Sequence, residues 1–165
     1  MQTYKPKLLK VLKVPEDEKA LRRVSKPLSK EEILSEDFQH FLLDLEFSLK
    51  NYENEAGWIT VGMAAPQLDN PVQVFLQYDN EKDEMHEFIN PKIEFLGLVQ
   101  DVRIEACLSV PKTTGEVARF RRIRITYLDR KGQEHRDKYD GFEARVIQHE
   151  YDHLLGILFT DKLVK

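Results

Sequence analysis

Near the end of this 165-residue chain, the run His149-Glu150-Tyr151-Asp152-His153 reads H-E-x-x-H. On a helix the two histidines stand one turn apart on one face, so both can offer an imidazole nitrogen to a single divalent metal. Glu150 lies beside the first histidine, within reach of a proton on a water that such an ion activates. The string is short enough to arise by chance, and the bland alternative is an ordinary amphipathic helix. A third ligand elsewhere in the chain would decide the matter, because catalytic sites commonly use three protein ligands and keep one position open.

Candidates for that ligand are Cys107, His40, His86, His135 and an acid. His40 falls in a helical segment and His135 in a turn-rich hairpin arm, so both are expected to face solvent. Cys107 is the better candidate, at the point where a strand gives way to a loop bounded by Pro111. As the only cysteine it has no disulfide partner within the chain. Its thiolate is a soft donor that suits iron or zinc and is poor for magnesium or calcium.

The elements that must position these groups can be read from caps and periodicity. Asp140 is a good N-cap, Glu143 three residues on completes a capping-box pattern, and Gly156 is a natural terminator, which predicts a helix between them. Phe142, Val146, His149 and His153 follow at helical spacing on one face, and Ile147, Glu150 and Leu154 form the adjoining stripe. Inward-pointing imidazoles and a carboxylate need compensation, which a metal provides. Asp152 reads either as fixing a neighbouring side chain, Arg119 being one candidate, or as a solvated acid, while Arg119–Arg124 otherwise reads as the polar face of a strand.

Upstream, an extended arm and a short helical turn near Glu18–Val24 precede a single helix predicted from Lys30 to about Lys50, capped by Ser29 and Glu32. Asn51–Gly57 reads as an acidic loop. Strands are predicted at Val72–Gln77, His86–Asn90, Ile93–Ile104, Val117–Leu128 and Glu134–Tyr139, with a hairpin turn at Asp129–Gly132. The expected fold is α+β, with mixed or antiparallel β-sheets packed around a central metal-binding α-helix, in one domain over residues 1–165. A hydrophobic fraction of 41%, a net charge of −4 and the absence of any long apolar run argue for a soluble cytoplasmic protein, without a membrane span or a specific nucleic-acid footprint.

Three stretches, in order along the chain, carry a resemblance. Val61-Gly62-Met63-Ala64-Ala65-Pro66-Gln67 is similar to the G-Φ-G-Φ-A-A-x-Q motif of the peptide deformylases. Glu105-Ala106-Cys107-Leu108-Ser109 resembles their E-G-C-L-S, and His149–His153 their H-E-x-D-H. The likeness extends through Leu21–Pro27, Phe88–Pro91 and Gly156–Phe159, essentially the whole chain. It implies a metal held by Cys107, His149 and His153, typically Fe(II), with Zn, Ni or Co compatible with the same donors. It also implies Glu150 as general base and acid, with Gln67 and the Leu108 N–H as oxyanion donors. Val61, Phe142 and Val146 are then expected to line a methionine pocket, and the segments around Val61–Gly62 and Ala106 to pair with substrate backbone. The implied reaction hydrolyses the formamide of an N-formyl-methionyl nascent peptide to formate and a free amine, with transient ribosome contact as a corollary.

Two family glycines are replaced, by Thr60 and Ala106. An added Cβ at either position narrows the backbone and could crowd the channel, which keeps open a silent homologue that only binds N-terminal peptides. A zincin-like peptidase would need its third ligand after His153, where Asp161 is the sole candidate. No long C-terminal helix for ribosome docking is expected so soon after Leu163.

Overall fold

Serine hydroxyls set two of the helices that open the fold. In the computed structural model, which describes residues 3–53 and 59–165, α1 spans Glu18–Leu21 and α2 Lys30–Leu34. Ser29 caps α2 as the sequence suggested, accepting from Glu32 N at 3.1 Å while Glu32 Oε2 accepts from Ser29 N at 2.7 Å. The predicted single helix is broken at Ser35, whose ψ of 148° is extended. Its hydroxyl donates to Glu32 O and accepts from Phe38 N, closing one helix and starting α3 (Glu36–Asn51). A residue that serves both ends in this way makes a break inexpensive. Residues 54–57 of the expected acidic loop lie outside the described residues.

Seven strands follow: β1 (Gly62–Ala64), β2 (Val74–Asp79), β3 (Glu84–Phe95), β4 (Gln100–Cys107), β5 (Val110–Phe120), β6 (Arg122–Leu128) and β7 (Glu134–Asp140). They form a five-stranded sheet in the order β1-β2-β3-β6-β7 and a separate β4-β5 hairpin. Every pairing within the two sheets is antiparallel, and the parallel contact among the described residues is the isolated bridge between Lys26 and Val72. The predicted Val117–Leu128 strand is therefore two strands. It breaks at Arg121, where the chain leaves the hairpin and joins the larger sheet, its N–H bonding Val99 O and its carbonyl accepting from Gly141 N.

Alternation along β2 covers both faces of the larger sheet. Val74 and Leu76 pack with Leu42, Leu45 and Leu49 of α3. Phe75 points the other way, with Phe88, Ile123 and Ile125, onto Ala144, Ile147 and Leu154 of α4 (Gly141–Leu154). Each of these side chains is at most 2% exposed, and burial of one such residue contributes about 1.5–3 kcal/mol. The hairpin is fastened by a smaller cluster in which Val110 and Val117 meet Leu158 and Phe159. Thus α4 lies between the sheet and the hairpin.

The start of α4 departs from expectation. Asp140 makes no side-chain cap, because Gly141 enters the helix at φ +61° and the Asp140 carboxylate turns toward Arg121 instead. The end is as expected. Gly156 has φ +72°, and a Cβ there would stand 2.3 Å from Arg22 O, so only glycine fits the turn.

Candidate metal centre and cleft

The hairpin and α4 bring three donors together. The Cys107 thiol and one nitrogen from each of His149 and His153 all lie within 4.8 Å of one another. Cys107 Sγ is 3.4 Å from His153 Nε2. His149 Nδ1 lies 2.8 Å from Glu105 Oε1, which leaves its Nε2 for a metal. A thiolate and two imidazoles drawn from two elements are a donor set of the kind that holds zinc or ferrous iron. The buried His153 Nδ1 has no partner among the described residues, consistent with a ring oriented by what it binds through Nε2. The alternative ligands go elsewhere: His40 stacks on Tyr4, His135 pairs with Asp129, His86 approaches Glu84, and Asp161 is bound by Arg22.

Behind the donors sits a buried ionic network that the sequence only partly announced. Glu105 Oε1 and Oε2 each meet Arg119 at 2.9 Å, and Oε2 also accepts from Arg145 at 2.6 Å. Arg119 continues to Asp152 at 2.5 Å, and Lys162 reaches the same carboxylate at 3.0 Å. Arg119 is thus the expected partner of Asp152, and it is not part of a polar strand face: it is 3% exposed. Glu105 and Arg145 were not foreseen as supports of the centre. Strand parity carried a signal for the first, since Glu105 and Cys107 lie two apart on β4 and share a face. Helical spacing carried one for the second, since Arg145 is one turn before His149.

The electrostatic consequences oppose one another within a few ångströms. Burial alone would raise Glu105, but its bonds to Arg119 and His149 hold it well below the ordinary carboxylate range. Burial alone would lower His149, and Cys107 and Glu105 reverse this and raise it. His153 is lowered by burial and by His149, so its ring stays neutral. Glu150, with Oε2 buried and unpaired, is pushed up to about 7, by burial first, with Glu105 adding to it and His149 opposing.

The centre opens into a cavity of about 190 Å³ between β1 and β4, floored by α4. Gly62, Gln67, Ala106, Leu108 and Glu150 line it, as do Val61, Phe142 and Val146. Every site residue singled out from sequence except His153 lines this cavity, and His153 joins it through the donor cluster. Gly62 allows the approach of Glu150, because a Cβ there would stand 2.6 Å from Oε1. Gln67 is 2% exposed, not a solvated loop residue. Its Oε1 accepts from Ala64 N at 2.9 Å, turning Nε2 toward Ser109 Oγ (3.0 Å) and Cys107 Sγ (3.6 Å). Val61 O is already bonded to Tyr78 N, so that carbonyl is committed to β2. Thr60 and Ala106 both line the cavity, and neither displaces a donor.

Comparison with known proteins agrees with this arrangement. Residues 8–165 match the family model described as polypeptide deformylase. The peptide deformylase of Wolinella succinogenes is 35% identical over 150 residues, spanning 87% of this chain and 82% of that protein. The crystal structure of peptide deformylase from Thermotoga maritima superposes with a TM-score of 0.84 at 27% identity, covering 96% of this chain and 99% of that one. A Met-Ala-Ser-bound class I type b peptide deformylase from Acinetobacter baumannii gives 0.84 at 29% identity, covering 96% and 100%.

Proposed function

We propose a division of labour for a chain that belongs to the peptide deformylase family and is a metallo-amidohydrolase. The observation that carries it is the convergence of Cys107, His149 and His153 beside a buried, unpaired carboxylate oxygen of Glu150. A divalent ion held by the three donors, which we take to be Fe(II), would supply the Lewis acidity that activates water and polarises the formyl oxygen. Glu150 takes a proton from the attacking water and returns it to the leaving nitrogen, so formamide and water become formate and a free amine. Gln67 Nε2, held by the Ala64 N–H, and the Leu108 N–H donate to the oxygen that becomes negative.

The substrate is an N-formyl-methionyl nascent peptide. Its first side chain enters between Val61, Phe142 and Val146, and its backbone pairs with Gly62 and Ala106. Three features support this: β1 ends the five-stranded sheet, β4 is one edge of the hairpin, and the cavity lies between them. Val61 contributes its side chain, its carbonyl being taken. Cytoplasm or an organelle matrix, with brief contact at the ribosome, is the setting such a substrate requires. No described helix is long and apolar enough to cross a membrane. We take residues 1–165 to act as one catalytic unit.

Anaerobic purification followed by metal analysis and formate release from formyl-Met-Ala-Ser tests the reading. About one iron per chain with turnover is expected, and Cys107→Ala should lose the metal. Full metal binding by Cys107→Ala, or metal-loaded wild type that releases no formate, would overturn it.

A further inference from the structure

The cavity accounts for the first residue of a substrate, and large apolar side chains stand exposed beside it. Val102 and Ile104 are 51% and 59% exposed. They alternate with Glu105 and Cys107 on β4, so both point to the face opposite the metal centre. Ile59 and Phe142, 67% and 57% exposed, stand with Ile104 around the cavity. Ile59, Ile104 and Phe142 line the cavity together, and Val102 follows two residues from Ile104 on the same face of β4, a strand whose second edge pairs with nothing in the sheets described, which gives an apolar strip leading away from the site. Contiguous exposed apolar surface on a soluble fold marks a binding surface, and here it adjoins the substrate groove.

Resting on the deformylase reading above, we infer that this strip reads the second and fourth residues of the nascent chain and favours large apolar side chains there. The pleat supplies the register. If the first side chain turns inward to Val146, an extended peptide turns its second and fourth side chains outward, beside Ile104 and Val102. The third and fifth point the other way. Backbone pairing to an edge strand gives affinity without sequence preference, and the alternate side-chain contacts add the discrimination. The departure from neutral recognition thus lies in this chain's own outer-face residues and not in the catalytic groups.

Two peptides of equal composition separate register from hydrophobicity: formyl-Met-Leu-Ser-Leu-Ser and formyl-Met-Ser-Leu-Ser-Leu. We expect kcat/KM for formate release to favour the first about three- to fivefold, the range of one or two cross-strand apolar contacts. Val102→Ser should reduce that ratio toward two and Ile104→Ser toward one, and turnover of formyl-Met-Ala-Ser by Val102→Ser should be unchanged. Binding of the two unformylated products to the iron-loaded protein, measured by calorimetry, should show the same order. Equal kcat/KM for both pentapeptides with normal tripeptide turnover would overturn the inference and leave the deformylase reading intact. A ratio unchanged by both serine variants would do the same. Loss of formate release from every peptide, with the products still bound in the expected order, would strike the catalytic reading and uphold the strip.

Discussion

Asp152 and Glu150 sit two residues apart on one helix and are 5% and 4% exposed, yet the protein treats them in opposite ways. Asp152 is met by Arg119 and Lys162, and through Arg119 it is tied to Glu105, Arg145 and His149. Glu150 has one oxygen without any partner among the described residues. Burial costs a carboxylate the same hydration on either side of α4, so the difference lies in what replaces the water. On the paired side cations replace it, and the acids act as fixed anchors. On the unpaired side, burial moves the carboxyl toward neutrality, where it can exchange a proton. On the function proposed above, the contrast separates groups that hold the site from groups that work in it.

Removing a group from each side should give different kinds of damage. Glu150→Gln, on the working side, should lower turnover about 10²- to 10⁴-fold while metal content and urea stability stay near wild type. Steady-state formate release with parallel metal analysis checks this, and an active variant would break the contrast. Arg119→Met should act in reverse. It strips Glu105 and Asp152 of their shared cation and should cost about 3–5 kcal/mol in urea unfolding, because buried charge is left short of a partner. If stability is unchanged and only turnover falls, the network is not the anchor described.

A smaller effect is expected where the two sides are separated by one missing atom. Gly62→Ala places a methyl against the Glu150 carboxylate, within 2.6 Å of Oε1. Displacing that group should reduce turnover about tenfold to a hundredfold, with the metal retained. The smallest effect is a control in the sheet beneath α4. Burial first, then Asp137 and Glu143, push Tyr139 up to about 12 from an ordinary 10. A phenol whose folded value is raised stabilises the fold fully below pH 10, and this contribution is lost as pH rises toward 12. Alkaline unfolding should therefore begin in that window, and Tyr139→Phe should move it upward without altering metal content.

Most of the working side was legible in the sequence, since ligand type, helical spacing and the motif order all point to the same residues. Cys107, His149 and His153 come together as one donor cluster, and Glu150 and Gln67 line the cavity beside it. The anchoring side was less so. Arg119 lies in a run of basic residues that looks like a solvated strand face, and its burial follows from the change of sheets at Arg121, which periodicity treats as one strand. Glu105 was visible only as a letter of a motif, although its parity with Cys107 on β4 already placed it behind the metal. The break at Ser35 was hidden because the apolar stripe runs on through both helices. The failed cap at Asp140 was hidden because the left-handed Gly141 changes the geometry that a capping pattern assumes.

The chain also doubles back after Gly156. Lys162 bonds Asp152, Asp161 pairs with Arg22, Leu163 bridges Val117, and Val164 N bonds Glu116 O. Cys107 and His153 are separated by 46 positions in sequence, so nothing covalent nearby sets the bite between thiol and imidazole. The last residues therefore work as a clasp, tying hairpin to helix from outside. Whatever loosens that clasp should widen the jaws on the ion long before the sheet itself comes apart.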